Sequence, residues 1–337
     1  MRARLLLPIL LPILLFAAAC DDDEAAPAAP DLAVDQAVAD QGPADQGSLD
    51  AAADAALVDM AGPDGGCGYE PEAIDEYEAP PIHTPRWAFT PWISKDISDR
   101  ADTEAFVAGF QARDIPVGVV VLDSPWETHY NTFIPNPDRY PDFDTLVTGL
   151  RAQGVRTVLW ITQMVNTTGL DFEAGGDTYD GPSPNYTEGA ACGFFINDND
   201  TYVWWKGRGS GLDFFNPLAA TWWHEQYDHL LDLGVAGWKL DFGEQYIERD
   251  TMDTAAGEVS FQAYSEKYYE DFYAYGASRL GTDEFVTMVR PYDESYEHAG
   301  RFFARPEHAP VAWVGDNRRD WVGLIDALDH LFRSAQA

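Results

Sequence analysis

Apolar and polar residues are arranged along the chain in a way that predicts a parallel β-sheet with helices between its strands. Six short apolar runs, rich in β-branched and aromatic residues, have the composition of strands buried on both faces. They lie at 87–93, 115–123, 155–163, 235–241, 284–290 and 310–316. Helical spacing of apolar residues predicts helices at 103–113, 143–153, 217–233, 261–280 and 320–334. Residues 164–213 are predicted to form a long loop with at most short elements of its own.

A polar side chain stands at the carboxyl end of five of the predicted strands. These side chains are Asp123, Gln163, Asp241, Arg290 and Asp316. Several strand ends that converge on one site are the pattern of a (β/α)8 barrel, whose active site lies at that end. No glycine-rich nucleotide motif follows any predicted strand, which counts against a doubly wound nucleotide fold. We therefore predict an α/β fold of the (β/α)8 TIM-barrel type, with six βα units where a closed barrel has eight.

Asp241 and Asp316 are the two candidate catalytic residues. They follow the fourth and sixth predicted strands, and in a barrel these positions face each other across the mouth. Glycoside hydrolysis needs such a pair, because one carboxyl group attacks or stabilises the anomeric carbon while the other protonates the leaving oxygen. A single aspartate at a strand end more often caps a helix or closes a turn, so the prediction depends on the pair.

Charge and composition narrow the class of ligand. The 337 residues carry a formal net charge of −36, from 57 acidic and 21 basic residues. So acidic a surface repels the phosphates of nucleic acid, and we expect no nucleic-acid partner. The 11 Trp, 16 Tyr and 18 Phe residues suffice to fill a core and also to stack on sugar rings. The composition favours a secreted protein that acts on neutral ligands.

The first twenty residues resemble the signal peptide of a bacterial lipoprotein. Arg2 and Arg4 precede an apolar run at 5–16 that is too short to span a bilayer, and three alanines lead to Cys20. We expect cleavage after residue 19 and lipidation of Cys20. The lipid would anchor the protein to a membrane of the cell envelope, in the periplasm or at the outer surface. The alternative is a plain cleaved signal in which Cys20 has no role.

A low-complexity acidic segment follows at 20–80. It is rich in Ala, Asp and Pro, and it has 17 acidic residues and no Lys or Arg between positions 21 and 80. Such a segment cannot bury enough apolar surface to offset its ordering entropy, so we predict a disordered tether before a barrel domain at 81–337. Cys67 and Cys192 either pair in an oxidising compartment or remain free, and the sequence leaves both open.

The residues around the two aspartates resemble motifs of glycoside hydrolase family 31, the retaining α-glycosidases with a (β/α)8 catalytic barrel. WKLDFGE, which ends at Glu244, resembles the family's nucleophile motif in the form found among α-xylosidase-like and α-galactosidase-like members. WVGDN at 313–317, followed by Trp321, resembles its acid/base motif. Further similar segments, in the family's order, are PRWAFTPWIS, VVVLDSPW, GLRAQGVRTVLWI and LDFFNPLAATWW.

The resemblance implies a role for each candidate residue. Asp241 would be the nucleophile and Asp316 the general acid and then the general base, in a double displacement that needs no metal and no other cofactor. The residues expected to contact the sugar are Asp123, Trp126, Trp160, Lys239, Arg290 and Trp313. Glu244 would support the nucleophile or begin the next helix. Structural roles remain as alternatives. Tryptophans in strands usually belong to the hydrophobic core, and Lys239 could instead form a salt bridge at the edge of the core.

Three features depart from the family pattern. The tether stands where the family has a β-sandwich, the stretch between Arg290 and Trp313 lacks the usual motif, and the chain stops about one helix after Asp316. We expect from this that the chain is the front part of a longer protein with an incomplete barrel. Two hypotheses follow. The first is a retaining α-glycoside hydrolase that cleaves terminal α-linked xylose, galactose or glucose. The second is a carbohydrate-binding envelope lipoprotein, or an inactive fragment, without turnover.

Overall fold

A computed structural model describes residues 67–72, 83–241, 243–290 and 304–334. The predicted signal peptide at 1–19, Cys20 and most of the predicted tether lie outside these residues and stay predictions. The same holds for much of the unusual stretch after Arg290. In the described ranges, no helix combines the length and the apolar character needed to cross a membrane.

Within the described residues, twelve strands and seven α-helices follow one another along the chain, together with five short 3-10 segments. The strands are β1 (Trp92–Lys95), β2 (Val119–Leu122), β3 (Arg156–Ile161), β4 (Met164–Leu170), β5 (Thr178–Tyr179), β6 (Tyr202–Trp204), β7 (Gly207–Gly211), β8 (Gly237–Leu240), β9 (Thr251–Thr254), β10 (Gly257–Ser260), β11 (Val286–Val289) and β12 (Val311–Ala312). The helices are α1 (Arg100–Gln111), α2 (Phe143–Ala152), α3 (Pro184–Ala191), α4 (Ile196–Asn199), α5 (Pro217–Leu233), α6 (Phe261–Leu280) and α7 (Trp321–Ser334).

Six parallel strands form the central sheet, in the order β1-β2-β3-β8-β11-β12. Every neighbouring pair in this sheet is parallel. All four residues of β2, of β8 and of β11 are buried, as expected for strands covered on both faces. The sheet is a half-barrel, and in the described part of the chain β1 and β12 are its edges. The predicted α/β fold and the incomplete barrel are confirmed.

Helices α5 and α6 begin and end at the residues that the sequence predicted, because local capping sets their ends. The side chain of Asn216 accepts a hydrogen bond from the backbone N–H of Leu218 at the start of α5. Gly234, with φ 103°, ends that helix in the left-handed conformation that glycine adopts without strain. Ser260 caps α6 in the same manner by accepting from the N–H of Ala263.

The strand predicted at 87–93 is wrong for the residues before Trp92 and is confirmed only for its last two. Residues Arg86–Phe89 form a 3-10 turn instead, and β1 begins only at Trp92. Pro91 has no N–H to donate to a sheet, although its carbonyl accepts from the N–H of Gly118 and of Val119. Pairing with β2 therefore starts one residue after the proline. The apolar run of this segment belongs partly to a turn and partly to a strand.

The long loop predicted at 164–213 is largely a second sheet. Strands β4 to β7 form an antiparallel sheet in the order β5-β4-β7-β6, with α3 and α4 between β5 and β6. This inserted sheet comes directly after β3 and so lies at the carboxyl end of the barrel strands. The buried side chain of Asn166 on β4 connects the inserted sheet to the loop that follows β2. Its amide donates to the carbonyl oxygen of His129 in that loop at 2.9 Å and to that of Lys206, before β7, at 3.0 Å. Strand β7 reads GRGSG, which has no apolar alternation and therefore gave no strand pattern.

Six residues of the predicted tether, 67–72, pack against the outside of the barrel. Cys67 and Cys192 form a disulfide, which resolves the choice that the sequence left open. The hydroxyl of Tyr69 donates to the carboxylate of Glu188 on α3 at 2.6 Å. This segment is therefore held to the residues that carry α3.

Helix α7 exposes most of its apolar side chains. The exposed fractions of Trp321, Val322, Ile325 and Phe332 are 81%, 60%, 68% and 62%. Its neighbour β12, only two residues long, is an edge of the central sheet. In a closed (β/α)8 barrel, further βα units would lie next to this edge.

Candidate active site

The carboxyl ends of the central strands open into a cavity of about 370 Å³. Six of the residues predicted from the sequence line it: Asp123, Trp160, Lys239, Asp241, Arg290 and Asp316. Five further side chains complete the lining: Asp96, Glu173, Trp205, Lys206 and Tyr246. A small-molecule site of this volume accommodates a ligand of the size of a sugar.

Asp241 follows β8 and lies buried at this cavity. The indole N–H of Trp160 donates to its Oδ2 at 3.0 Å, and Nε of Arg290 donates to its Oδ1 at 3.1 Å. Burial alone would favour the protonated acid, but the charges of Arg290 and Lys239, together with the hydrogen bonds from Trp160 and Arg290, lower the pKa of Asp241. The carboxylate is therefore ionised at neutral pH and fixed in orientation.

Arg290 connects the two candidate catalytic residues. The same guanidinium that donates to Asp241 also donates through Nη2 to Oδ2 of Asp316 at 2.7 Å. Arg290 itself is 3% exposed at its side chain, whereas the side chain of Asp316 is 68% exposed. The carboxylate of Asp241 thus lies at the floor of the site and that of Asp316 at its open side. The planar guanidinium of Arg290 donates to both.

A buried ion pair between Lys239 and Asp123 forms another part of the lining. Nζ of Lys239 lies 2.7 Å from Oδ2 of Asp123, and both side chains are 7% exposed. Burial opposes the charge of Lys239, but Asp123 and Asp241 outweigh it and raise its pKa. The ammonium also lies 4.8 Å from the ring centroid of Trp313. The structure therefore has both the salt bridge that the sequence suggested and a polar group facing the cavity.

Two predicted tryptophans lie outside the inner cavity. Trp126 is fully buried, and its indole N–H donates to the backbone carbonyl of Trp160 at 2.7 Å. It contacts the end of β3 and so supports Trp160. Trp313 lines a second cavity of about 780 Å³ next to the first.

Glu244 lies behind the nucleophile candidate, where it is fully buried. Burial raises its pKa to about 8, although the hydroxyl of Tyr269 donates to its Oε1 at 3.2 Å. Glu244 is therefore protonated at neutral pH. Gly243 precedes it in a tight turn, where a Cβ atom would lie 2.7 Å from Cγ of Met164 and 2.8 Å from Oε1 of Gln163. The glycine lets the chain turn directly after β8.

Sequence reasoning missed five residues of the lining. Glu173, Trp205 and Lys206 belong to the inserted sheet, which the apolar pattern did not predict. Asp96 follows β1, and a strand placed at Trp92–Lys95 would have identified it by the same rule that identified Asp123. Tyr246 lies in the turn after β8. Among the described residues, no group of three or more His, Cys, Asp or Glu side chains could hold a metal ion.

Comparison with known families agrees with this geometry. The family described as "Glycosyl hydrolases family 31 TIM-barrel domain" matches residues 81–335. The chain belongs to glycoside hydrolase family 31. The resemblance drawn from the motifs is thereby confirmed, while the roles of single residues stay predictions.

The chain is similar to several curated members of family 31. It is 28% identical over 258 residues to an α-xylosidase of Emericella nidulans, which covers 74% of this chain and 30% of that protein. It is 24% identical over 217 residues to α-xylosidase XylQ of Lactiplantibacillus pentosus, covering 61% of this chain and 27% of that one. It is 24% identical over 251 residues to α-glucosidase 2 of Bacillus thermoamyloliquefaciens, and this match covers 71% of this chain and 30% of that protein. The chain thus spans about 30% of the length of these relatives.

Solved structures of family 31 enzymes share the fold. A family 31 α-xylosidase from a soil metagenome, complexed with xylose, superposes with a TM-score of 0.55 at 18% identity. The match covers 73% of this chain and 34% of that chain. A Flavobacterium johnsoniae dextranase complexed with glucose gives a TM-score of 0.57 at 19% identity and covers 70% of this chain and 28% of that one.

Proposed function

We propose that the chain carries the active site of a retaining α-glycosidase that cleaves a terminal α-linked sugar by double displacement. Asp241 is the nucleophile and Asp316 the general acid and base. Family membership supports the reaction class. The names of the relatives, α-xylosidases and an α-glucosidase, support a xyloside or a glucoside, and the motif form around Asp241 also suits a galactoside.

The observation that carries this proposal is the environment of Asp241. Its carboxylate is buried, held by the N–H groups of Trp160 and Arg290, and ionised because of the cations beside it. A nucleophile needs these properties, since it must be charged, desolvated and aimed before the substrate arrives. The neutral Glu244 behind it adds no competing negative charge at neutral pH.

In the first step, an oxygen of Asp241 attacks the anomeric carbon while Asp316 gives its proton to the leaving oxygen. The glycosidic bond breaks, and a glycosyl ester with Asp241 forms. In the second step, Asp316 takes a proton from water, the water oxygen attacks the anomeric carbon, and the ester breaks. Two inversions leave the product with the configuration of the substrate.

Asp316 must change its partner during this cycle. Its carboxyl group contacts Nη2 of Arg290 at 2.7 Å, whereas a general acid must contact the leaving oxygen of the substrate. We expect Asp316 to exchange the contact with Arg290 for one with the leaving oxygen, while Arg290 keeps its contact with Asp241. The exposed position of Asp316 gives it access to the water that the second step consumes.

The sugar itself is held by polar groups and aromatic faces of the inner cavity. The Asp123–Lys239 pair offers both an acceptor and donors to hydroxyl groups. The side chains of Trp160, Trp205 and Tyr246 give apolar faces for the ring. We expect an oligosaccharide or a simple glycoside as the substrate.

The test is hydrolysis of 4-nitrophenyl α-xyloside, α-glucoside and α-galactoside by the full-length chain. We expect release from at least one of them, loss of release in Asp241→Ala and Asp316→Ala, and no loss in the exposed control Asp253→Asn. Proton NMR of the first-formed sugar should show the α-anomer. Equal rates in Asp241→Ala and the parent protein would exclude this nucleophile. Binding of an oligosaccharide without any product would support the carbohydrate-binding hypothesis instead.

We also propose that the chain is a lipoprotein anchored through Cys20. Only the sequence of residues 1–20 supports this proposal. Expression in a bacterium fed radiolabelled palmitate should label the parent protein and not Cys20→Ser. Absence of label in the parent protein would contradict lipidation and favour the alternative, a cleaved signal peptide in which Cys20 has no role.

A further inference from the structure

A second, larger cavity of about 780 Å³ adjoins the inner cavity and shares part of its lining. Three residues line both cavities, and all three are carboxylates: Asp96, Glu173 and Asp316. Asp316 is the proposed acid, which must contact the leaving oxygen of the substrate. The larger cavity therefore lies on the side of the bond where the leaving group is bound. Asp96 and Glu173 stand beside Asp316 at the entrance to that side.

Glu173 lies in the loop between β4 and β5 of the inserted sheet, and backbone hydrogen bonds define the conformation of this loop. Its backbone N–H donates to Oδ1 of Asp171 at 2.9 Å, and its carbonyl accepts from the N–H of Gly176 at 3.1 Å. Asp171 is fixed in turn by Nζ of Lys206 at 2.8 Å, with side chains 0% and 2% exposed. This buried ion pair holds the loop over the mouth of the inner cavity and fixes where the carboxylate of Glu173 can lie.

The cations that line the inner cavity already contact carboxylates. Lys239 lies 2.7 Å from Asp123, Arg290 contacts Asp241 at 3.1 Å, and Lys206 is nearer to Asp171 than to Glu173, at 2.8 Å against 3.5 Å. An anionic substrate group would therefore gain little from these cations. The larger cavity is lined by two cations as well, Lys95 and Arg319, of which Lys95 contacts Asp102 at 2.5 Å. At the junction of the cavities, beside Asp316, an anionic group would meet the carboxylates of Asp96 and Glu173.

Asp96 acts electrostatically on its neighbours in the site. Burial raises the pKa of Glu173 against the charge of Lys206, and the negative charges of Asp171 and Asp96 add to this rise. The charge of Asp96 likewise adds to the rise that burial causes in the pKa of Asp123. A carboxylate that influences two others across the mouth will also act on a charged ligand there.

We infer that Asp96 and Glu173 determine the charge of the leaving group that this site accepts. Leaving groups that are neutral or positively charged, such as an amino sugar, bind well. Leaving groups with a carboxylate, sulfate or phosphate, such as a uronic acid, are repelled by these two side chains. The inference depends on the proposed function only in calling this side of the cleft the leaving-group side.

Binding of matched glycosides tests the inference without relying on turnover. The probes are the α-xylosides and α-glucosides of three phenols that differ in one para substituent, which is carboxylate, carboxamide or aminomethyl. Calorimetry at about pH 7.5, where exposed carboxylates are ionised and alkyl amines protonated, gives their Kd for full-length Asp241→Asn, which binds without turning over. We expect the aminomethyl glycoside to bind roughly tenfold more tightly than the carboxylate glycoside.

Adding Glu173→Gln or Asp96→Asn should each reduce this preference, and both together should bring the ratio near one. Glu258→Gln is the matched control, because it removes an exposed carboxylate on β10 away from the cleft, and it should leave the ratio unchanged. Equal binding of all three glycosides, a preference unaffected by either substitution, or no binding at all would overturn the inference. If the parent protein hydrolyses no glycoside but Asp241→Asn still shows the charge preference, the proposed function is contradicted and the inference about Asp96 and Glu173 stands.

Discussion

Nε of Arg290 lies 3.1 Å from Oδ1 of Asp241, in a pair whose side chains are 3% and 11% exposed. The guanidinium also donates through Nη2 to Oδ2 of Asp316 at 2.7 Å. This arrangement keeps the proposed nucleophile ionised and ties its orientation to that of the proposed acid. Arg290 is therefore as important to the proposed mechanism as the two aspartates.

We predict that Arg290→Lys lowers kcat/KM by roughly 100-fold, because a single ammonium cannot replace a planar fork that contacts two carboxylates. With the fork lost, the pKa of Asp241 rises, so the acidic limb of the pH–rate profile moves to higher pH. Arg208→Lys, an exposed arginine on β7, is the control. An acidic limb at the same pH in Arg290→Lys would show that Arg290 does not set the ionisation of Asp241.

Trp160→Phe removes the N–H that donates to Oδ2 of Asp241 at 3.0 Å and keeps an aromatic ring. We expect kcat/KM to fall roughly tenfold, since a hydrogen bond to a charged group contributes about 1.5–3 kcal/mol. Trp204 stacks on Trp160 and donates instead to Asn166. Trp204→Phe should therefore lower the melting temperature without moving the pH–rate profile. Equal effects of both substitutions on that profile would contradict a specific role of Trp160.

The buried carboxyl group of Glu244 should make the stability of the folded protein depend on pH. Its folded-state pKa, which burial raises to about 8, lies above the unfolded value. The folded protein therefore holds a proton that the unfolded chain loses, and this contribution to stability declines as pH rises from about 4.3 to about 8. Glu244→Gln mimics the neutral acid, so its melting temperature relative to the parent should increase over that range. A constant difference across the range would show that Glu244 is already ionised in the folded state.

The buried imidazole of His224 should cause a second loss of stability with rising pH, over a window at higher pH than that of Glu244. Burial opposes its charge, but the carboxylates of Asp271 and Glu72, at 2.9 Å and 3.0 Å, raise the pKa of His224 to about 9. The stabilisation, on the order of 3 kcal/mol, is complete below the unfolded value of about 6.5 and is lost as pH rises through about 9. Urea unfolding should show the gap between parent and His224→Gln narrowing over this window.

His229→Gln serves as the control, because His229 is exposed on the same helix, and it should leave the free energy of unfolding nearly unchanged. A gap between the parent and His224→Gln that does not change with pH would contradict a charged His224. Because Glu72 lies in the segment 67–72, the titration also reports how firmly this segment is held.

The sequence predicted the parts of the fold that depend on local patterns. The bounds of α5 and α6 follow from capping residues, and the strand before Asp241 follows from a buried apolar run. The half-barrel order of the central sheet follows from the alternation of strands and helices. These features need no knowledge of distant contacts.

The inserted sheet could not be predicted in this way. Strand β7 consists mostly of glycine, and Asn166 in β4 is buried because of hydrogen bonds to residues far away in the chain. Glu173, Trp205 and Lys206 were therefore missed, and with them one wall of the site. The turn at Arg86–Phe89 was mistaken for strand because the effect of Pro91 on pairing was overlooked.

Covalent trapping tests the central claim most directly. A 5-fluoro α-glycosyl fluoride reacts with a retaining glycosidase to form a glycosyl ester that hydrolyses slowly, so the ester accumulates. Incubation of the full-length chain with the xylosyl and glucosyl reagents, followed by proteolysis and mass spectrometry, locates the adduct. We predict a single glycosyl adduct on Asp241, absent in Asp241→Asn. An adduct on another residue, or none with a reagent that the protein hydrolyses, would contradict the claim that Asp241 is the nucleophile.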